Sequence, residues 1–322
     1  MRVLLATDGS ASADRARDLV AGLAWPDGTI VRVLIAVDTH LEMLAAPFAM
    51  VGGEVVDELD SELLEHARVT LDAADAVLRA TGLTTQTVNR RERAADAIID
   101  EARAWGADLV VLGNRGHTTL TSMVLGSTSA EVVDHAPCPV LVAREPSIGE
   151  IVLASDGSPS ALAAERLLAD WPVFHGFRTS VVSVARIGPP WSPGLAAGLY
   201  DPATVADERG DAALRREAID LVEEVARRLR DTGLDAIARP MEGDAAVEIL
   251  AAARSASRPL IVMGSRGRTG LTRLLLGGVA RNVLHHATGS VLIVRQGVRV
   301  AAAEPAAEHP AELAQEMASS IS

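Results

Sequence analysis

Lysine is absent from this 322-residue chain, since all 30 residues in the Lys+Arg count are arginines. A lysine-based phosphate loop and a Schiff-base lysine are therefore excluded, and a bound phosphate must be held by backbone N–H groups, hydroxyls, Arg, His or a metal. Cysteine occurs once, as Cys138 between two prolines. One cysteine excludes an internal disulfide framework, suits the cytosol, and favours a buried structural thiol over a reactive one.

Long apolar runs and aromatic residues are also scarce. Aromatics make up 2% of the chain, and no stretch approaches the ~20 uninterrupted apolar residues of a membrane span. Asp8 interrupts the first apolar stretch, so the N-terminal segment does not resemble a signal peptide, and we expect a cytoplasmic protein. Residues 1–147 carry 12 Arg against 22 acids, and residues 148–296 carry 17 of each. This balance argues against nucleic acid or an anionic membrane as a main partner.

The first half of the chain is repeated in the second half. Residues 1–10 reappear as residues 150–158, residues 108–116 as 259–267, and residues 139–144 as 290–295. Three matched blocks in the same order indicate a duplicated domain. We divide the chain into domain 1 (residues 1–146), domain 2 (residues 147–296) and a flexible Ala/Glu-rich tail (residues 297–322).

Short apolar runs alternate with helical patterns in each copy. In domain 1 we predict strands at residues 3–7, 31–37, 84–90, 109–113 and 140–144, and helices at residues 12–23, 55–81, 94–105 and 128–135. Domain 2 repeats the scheme, with a long helix over residues 205–232. Ser10 or Ser12 is predicted to cap the first helix, and Ser127 the last. Continuous apolar strands that alternate with helices indicate an α/β fold, with a parallel sheet covered by helices on both faces.

A glycine-rich loop follows the fourth predicted strand. It runs Gly113-Asn-Arg-Gly116, then nine residues, then Gly126-Ser127. We expect Gly113 and Gly116 to allow a positive φ and a close backbone approach, and the following helix to present free N–H groups to an anion. Asp8 ends the first strand and would flank this loop if the first and fourth strands are neighbours. Asp8 could instead cap the first helix.

These features resemble the universal stress protein family over roughly residues 1–296. ATP-binding members of that family carry Gly-x₂-Gly-x₉-Gly-(Ser/Thr) after the fourth strand and an Asp at the end of the first, and domain 1 has both. The resemblance implies two tandem Rossmann-like (adenine nucleotide α-hydrolase-like) domains, each a five-stranded parallel sheet of order 3-2-1-4-5. It also implies an intramolecular pseudo-dimer in which residues 140–144 pair with residues 291–295. A homodimer is a further expected assembly.

The resemblance assigns a nucleotide site to each domain by matched position. The ATP-binding residues of domain 1 would be Ala6, Thr7, Asp8, Val37 through its backbone, Gly113, Arg115, Gly116, Gly126, Ser127 and Thr128. The matching set in domain 2 would be Ser155, Asp156, Gly264, Arg266, Gly267, Arg268, Gly277, Gly278 and Val279. Gly278 replaces the hydroxyl residue of the motif, so whether domain 2 binds nucleotide stays open. We predict no catalytic residue and no metal ligand in the protein.

Three functions remain open at this point. The first is a cytoplasmic ATP-binding protein that acts in stress response or growth control, through nucleotide-dependent contacts with an unidentified regulatory partner. The nucleotide would be ATP, with or without Mg²⁺. The second is a slow ATPase, and the third is a nucleotide-free interaction module.

Overall fold

The computed structural model describes residues 1–37, 53–116, 125–186, 208–267 and 276–295. Side chains are described from residue 60 in the first long helix and from residue 210 in the second. The predicted tail and the predicted site residue Arg268 lie outside the described residues.

Domain 1 is an alternating series of strands and helices. Its elements are β1 (Arg2–Thr7), α1 (Ala11–Gly22), β2 (Ile30–Ala36), α2 (Gly53–Ala80), β3 (Thr84–Arg90), α3 (Ala94–Trp105), β4 (Leu109–Gly113), α4 (Ser127–His135) and β5 (Val140–Ala143). Every predicted element of domain 1 is present, with each end within two residues of the prediction.

Domain 2 repeats this order. Its elements are β6 (Glu150–Ala154), α5 (Pro159–Asp170), β7 (Arg178–Ala185), α6 (Glu208–Asp231), β8 (Ala236–Glu242), α7 (Ala245–Arg254), β9 (Pro259–Gly264), α8 (Gly278–His286) and β10 (Ser290–Val294), with a short 3₁₀ helix (Pro172–Phe174) after α5.

Hydroxyl caps start the first helix of each domain. The Ser10 side chain accepts a hydrogen bond from the Ala13 N–H, and Ser158 accepts one from Ala161. Each satisfies an amide that has no partner inside the helix. The predicted cap at Ser127 is wrong, because Gly126 occupies the extended N-cap position of α4 and Ser127 is its first helical residue.

The strands form one ten-stranded sheet of order β3-β2-β1-β4-β5-β10-β9-β6-β7-β8. Each half therefore has the predicted order 3-2-1-4-5, with parallel pairs throughout. The halves join where β5 runs antiparallel to β10, with Leu141 opposite Leu292. This confirms the expected pairing of the two last strands, and it covers two edges that would otherwise expose unpaired backbone groups.

The sheet is buried on both faces. Val3 and Leu5 of β1 belong to an apolar cluster under α1, α2, α5 and α6, whereas Leu4 and Ala6 belong to a second cluster under α3, α4, α7 and α8. Successive side chains of a strand point to opposite faces, so the continuous apolar runs fill both clusters. Each cluster runs through both domains.

Two arginines, the buried Arg144 and the half-buried Arg295, cross the junction between the domains. Arg144 follows β5, and its Nη2 donates to the Leu284 carbonyl near the end of α8 at 2.5 Å. Arg295 follows β10, and its Nη2 donates to the carbonyls of Val133, at 2.7 Å, and of Asp134 at the end of α4. A cation suits the negative end of a helix dipole. Burial, with the nearby Arg115 charge, lowers the pKa of Arg144 to about 10.

Candidate functional site

The carboxyl ends of β1 and β4 meet at the centre of domain 1. The two strands are direct neighbours, with Leu5 opposite Val111, so Asp8 and Gly113 flank one crevice as expected. A cavity of about 350 Å³ opens there, a volume typical of small-molecule sites. Nine of the ten predicted residues line it: Ala6, Thr7, Asp8, Gly113, Arg115, Gly116, Gly126, Ser127 and Thr128.

The Val37 side chain does not line the cavity, and the expected contact of its backbone with a nucleotide stays a prediction. Val37 lies just beyond β2, its side chain belongs to the cluster on the opposite face of the sheet, and its N–H donates to the Arg90 carbonyl at 2.8 Å. Leu34 and Ala36 face the cavity instead. The alternation of side chains along a strand decides this, and a shift of one residue exchanges the two faces.

Neither Gly113 nor Gly116 has a positive φ, so that part of the prediction is wrong, whereas both glycines do allow a close approach of neighbouring atoms. A Cβ on Gly113 would lie 2.5 Å from the Ser12 Oγ and 2.7 Å from the Ser12 carbonyl carbon, so this glycine lets α1 pack against β4. A Cβ on Gly116 would lie 2.6 Å from the Asp8 Oδ2. The positive φ, +77°, is at Gly9 after Asp8, where an Asp-Gly pair is a turn signal that sequence reasoning missed.

Asp8 is not the helix cap, because that position belongs to Ser10. The Asp8 Oδ1 accepts a hydrogen bond from the Ser10 N–H at 3.0 Å, and its Oδ2 faces Gly116 across the cavity wall. The carboxylate is therefore oriented by the β1–α1 turn while one oxygen lies beside the glycine loop.

Hydrogen bonds fix both ends of that loop. The Ser12 Oγ donates to the Asn114 Oδ1 at 2.8 Å and accepts from the Arg115 N–H at 3.3 Å. The Gly126 N–H donates to the Asn114 carbonyl at 2.9 Å, and the Ser129 Oγ donates to the Gly113 carbonyl at 2.9 Å. Ser12, Asn114 and Ser129 were missed as site residues, because their part in the loop depends on contacts more than ten residues distant.

Domain 2 has a matching cavity of about 340 Å³ at the ends of β6 and β9. Eight of the nine predicted residues line it: Ser155, Asp156, Gly264, Arg266, Gly267, Gly277, Gly278 and Val279. The Asp156 Oδ1 accepts from the Ser158 N–H at 3.0 Å, and a Cβ on Gly267 would lie 2.8 Å from the Asp156 Oδ2. The geometry of Asp8 and Gly116 is thus repeated.

Within the described residues, no three His, Cys, Asp or Glu side chains are grouped closely enough to hold a metal ion. Over the same parts of the chain, no helix is both long and apolar enough to span a bilayer. His135 and His286 contact carbonyls of their own last helical turns, at 3.0 Å and 2.9 Å. Both histidines therefore lie at the carboxyl ends of their own helices.

A family profile described as "Universal stress protein family" matches this chain twice, over residues 1–144 and 148–295. The chain belongs to the universal stress protein family. This assignment carries a role in the stress response, and the tandem arrangement is shared with relatives. A universal stress protein of Mycolicibacterium smegmatis is 29% identical over 308 residues, which cover 91% of this chain and 96% of the relative.

Shorter relatives match one domain at a time. A universal stress protein of Thermus aquaticus is 36% identical over 142 residues, covering 44% of this chain and 97% of its own length. A crystal structure of a universal stress protein from Archaeoglobus fulgidus covers 92% of this chain and 98% of its own, with a TM-score of 0.62 at 17% identity. That structural match shows the shared tandem fold. The division of this universal stress protein at residues 146 and 147 stays a prediction.

Proposed function

We propose that domain 1 of this universal stress protein binds ATP, and that the protein is a cytoplasmic regulator whose contacts with a protein partner depend on the bound nucleotide. The observation that carries the proposal is the cavity at the ends of β1 and β4. A carboxylate lies at one side of it and the N-terminus of α4 at the other. Such a crevice at the carboxyl ends of strands, where strand order reverses, is the usual ligand site of an open α/β sheet.

The nucleoside would lie at the β1 side of the cavity. The Asp8 carboxylate can accept hydrogen bonds from ribose hydroxyls, as acidic residues do in related nucleotide folds. Leu34, Ile98 and Leu112 form an apolar wall that suits a flat base.

The phosphates would lie at the N-terminus of α4. The first amides of that helix have no partners within it, and the helix dipole favours a negative charge there. Ser127 is exposed, Thr128 is half-buried, and both line the cavity, so two hydroxyls can add to the amides. Arg115 supplies the positive charge that lysine supplies in other phosphate loops.

The nucleotide would enter with or without Mg²⁺. Mg²⁺ usually keeps several waters and binds through substrate phosphates with one or two carboxylates. Asp8 is the acid among the described lining residues of domain 1. The metal would therefore be held mainly by phosphate oxygens and water.

The direct test is mass spectrometry of the purified protein after denaturation, to identify any nucleotide released, followed by titration of the emptied protein with ATP. Asp8→Asn keeps the shape of the side chain but removes its charge, and we expect it to reduce ATP binding in domain 1. Asp156→Asn is the matched control in domain 2 and should leave domain 1 unaffected. If nothing co-purifies and added ATP does not bind, the protein is a nucleotide-free interaction module.

The regulatory part is tested separately. The amount of partner protein captured should differ between ATP-loaded and nucleotide-free protein. ATP can change partner binding only if it binds two conformational states of the protein with different affinities. Asp8→Asn should abolish that difference. Equal capture under both conditions, by a protein that does bind ATP, would contradict the regulatory role while leaving the ATP site intact.

A further inference from the structure

The two cavities are nearly equal in volume, about 350 Å³ in domain 1 and about 340 Å³ in domain 2. They are built from matching elements and repeat the same contact between an aspartate and a glycine. A difference in ligand must therefore come from the few lining positions at which the domains differ.

The first difference is at the helix that would receive phosphates. Helix α4 begins Ser127-Thr128-Ser129, whereas α8 begins Gly278-Val279-Ala280. All six residues line their cavities. Domain 2 thus lacks the two hydroxyls that Ser127 and Thr128 offer a ligand, whereas the Ser129 Oγ already donates to the Gly113 carbonyl. A hydrogen bond to a charged oxygen changes affinity by about tenfold or more, so polyphosphate binding is weaker there.

The second difference is at the end of the first strand of each domain. The Ser155 Oγ donates to the buried Glu165 Oε1 at 2.8 Å, and the Glu165 Oε2 pairs with Arg228 at 2.7 Å. An ionised carboxylate can only accept hydrogen bonds, so the Ser155 hydroxyl must donate its proton to Glu165. Toward a ligand, the Ser155 Oγ can therefore only accept a hydrogen bond. Both this hydroxyl and its match in domain 1 accept from a glycine N–H, the Thr7 Oγ1 from Gly9 at 3.2 Å and the Ser155 Oγ from Gly157 at 3.4 Å, so the bond to a buried carboxylate is the difference between the domains.

The position matching Glu165 confirms that this network belongs to domain 2. Arg17 stands there in domain 1 and pairs with Asp14 and Asp18 instead. Domain 2 therefore presents two acceptors side by side, Ser155 and Asp156, which suits the hydroxyls of a ribose and repels phosphate oxygens.

The third difference is a carboxylate that domain 1 places beside the phosphate end of domain 2. The Asp134 Oδ1 accepts from the Leu276 N–H at 3.2 Å, directly before Gly277, and its Oδ2 lies 3.5 Å from Arg281. The residue at the matching position of α8 is His285. Arg281 offsets the charge of this carboxylate, but the Leu276 N–H is committed to Asp134 and is not offered to a ligand, while Arg266 at the cavity wall can pair with one phosphate.

We propose that the cavity of domain 2 binds an adenosine nucleotide with a single phosphate, in contrast to the triphosphate of domain 1. The inference rests on the proposed ATP site. Val182, Val184 and Ile249 contact the base, the two acceptors contact the ribose, and the amides of α8 with Arg266 hold one phosphate. One chain then carries one site for ATP and one site for AMP. The relative occupancy of the two sites therefore follows the ratio of ATP to AMP in solution.

The test uses full-length chains in which one cavity is closed. Ala94 and Ala245 are matched, half-buried first residues of α3 and α7, and each lines its own cavity. A tryptophan at either position fills that cavity from its mouth. Calorimetric titration with ATP and with AMP should show at least tenfold preference for AMP in Ala94→Trp and at least tenfold preference for ATP in Ala245→Trp.

A second arm exchanges the polarity of the helix start. Gly278→Ser with Val279→Thr, made in the Ala94→Trp chain, should raise ATP affinity at least tenfold and change AMP affinity less than threefold. The space beside Gly278 is open, since nothing lies within 4 Å of an added Cβ. Ser127→Gly with Thr128→Val, made in the Ala245→Trp chain, should lower ATP affinity by a similar factor.

The outcomes separate the two proposals. If Ala94→Trp prefers ATP as strongly as Ala245→Trp does, or binds no AMP while Ala245→Trp binds ATP, the inference about domain 2 is overturned and the ATP site stands. If Ala245→Trp binds no ATP, the proposed function fails. That outcome would also remove the contrast between the domains on which the inference rests.

Discussion

Gly113 and Gly116 belong to one motif but should respond to an added methyl group in opposite ways. At Gly113 the new Cβ would meet the Ser12 backbone, 2.7 Å from its carbonyl carbon and 2.8 Å from its carbonyl oxygen. Helix α1 would have to move, and overpacking of this kind costs about 1–3 kcal/mol. Gly113→Ala should therefore lower the melting temperature by roughly 2–12 °C, at ~2–4 °C per kcal/mol.

At Gly116 the same methyl group would meet only the end of a side chain. The Asp8 Oδ2 would lie 2.6 Å from the added Cβ and can rotate away, so stability should change little. The rotation moves the carboxylate from the cavity wall, and ATP loses a hydrogen bond to a charged group worth about 1.5–3 kcal/mol. Gly116→Ala should thus weaken ATP binding roughly 10- to 150-fold.

Scanning fluorimetry and calorimetric titration distinguish the two effects. Gly22→Ala is a neutral control, since nothing lies within 4 Å of its Cβ, and Gly267→Ala repeats the Gly116 change in domain 2 alone. Titrations are made in the Ala245→Trp chain, except for Gly267→Ala, so that only domain 1 is open. A Gly116→Ala protein that melts as early as Gly113→Ala, or that binds ATP normally, would refute the role given to Asp8.

Three further results are expected. Asp8→Ala should weaken ATP retention more than tenfold without changing the turnover per bound ATP. That turnover should lie far below the ~1–100 s⁻¹ of kinases. If the wild-type protein hydrolyses several ATP per second, and Asp8→Ala stops hydrolysis while ATP still binds, the protein is an enzyme. Burial raises the pKa of Glu101, but hydrogen bonds from Arg90 and Arg32 outweigh it and hold that pKa below its usual range. The pKa of Glu101 is thus lower in the folded protein than in the unfolded chain. The stability that wild type gains over Glu101→Gln should be largest near neutral pH and should shrink as pH falls below about 4.3. Denaturant titration of both proteins over this pH range measures the difference. Burial raises the pKa of Cys138 to about 12, so iodoacetamide at pH 8 should alkylate it only after denaturation, and fast labelling of the native protein would contradict its buried position.

Strands, helices and the duplication were predictable because their signals are local. The apolar run over β4 and the helical period over α3 each lie within a dozen residues, and both elements have the predicted bounds. The glycine spacing of the loop repeats at a constant distance in the second copy, so its position at the sheet edge followed from the strand order that the resemblance implied.

The direction and contacts of single residues were less accessible. Val37 and Ala36 are both small apolar residues at the end of β2, and only the pairing of β2 with its neighbours decides that Ala36 faces the cavity. Gly113 and Gly116 look equivalent in the motif, yet one makes room for α1 and the other for Asp8. Each glycine and its neighbour, Ser12 for Gly113 and Asp8 for Gly116, are about a hundred residues apart along the chain, so no local sequence pattern predicts their contact.

The amino-acid sequence by itself determined two α/β domains, their strand order by resemblance, and an acid and a glycine loop at each crevice. Only the tertiary structure decided how one domain acts on the other. The antiparallel pairing of β5 with β10 brings Asp134 to the amide of Leu276, and Arg144 to the end of α8. Those partners are 142 and 140 residues apart. Their contact depends on the register of one short strand pair, because a side chain reaches only what the folded backbone places within a few ångströms of it.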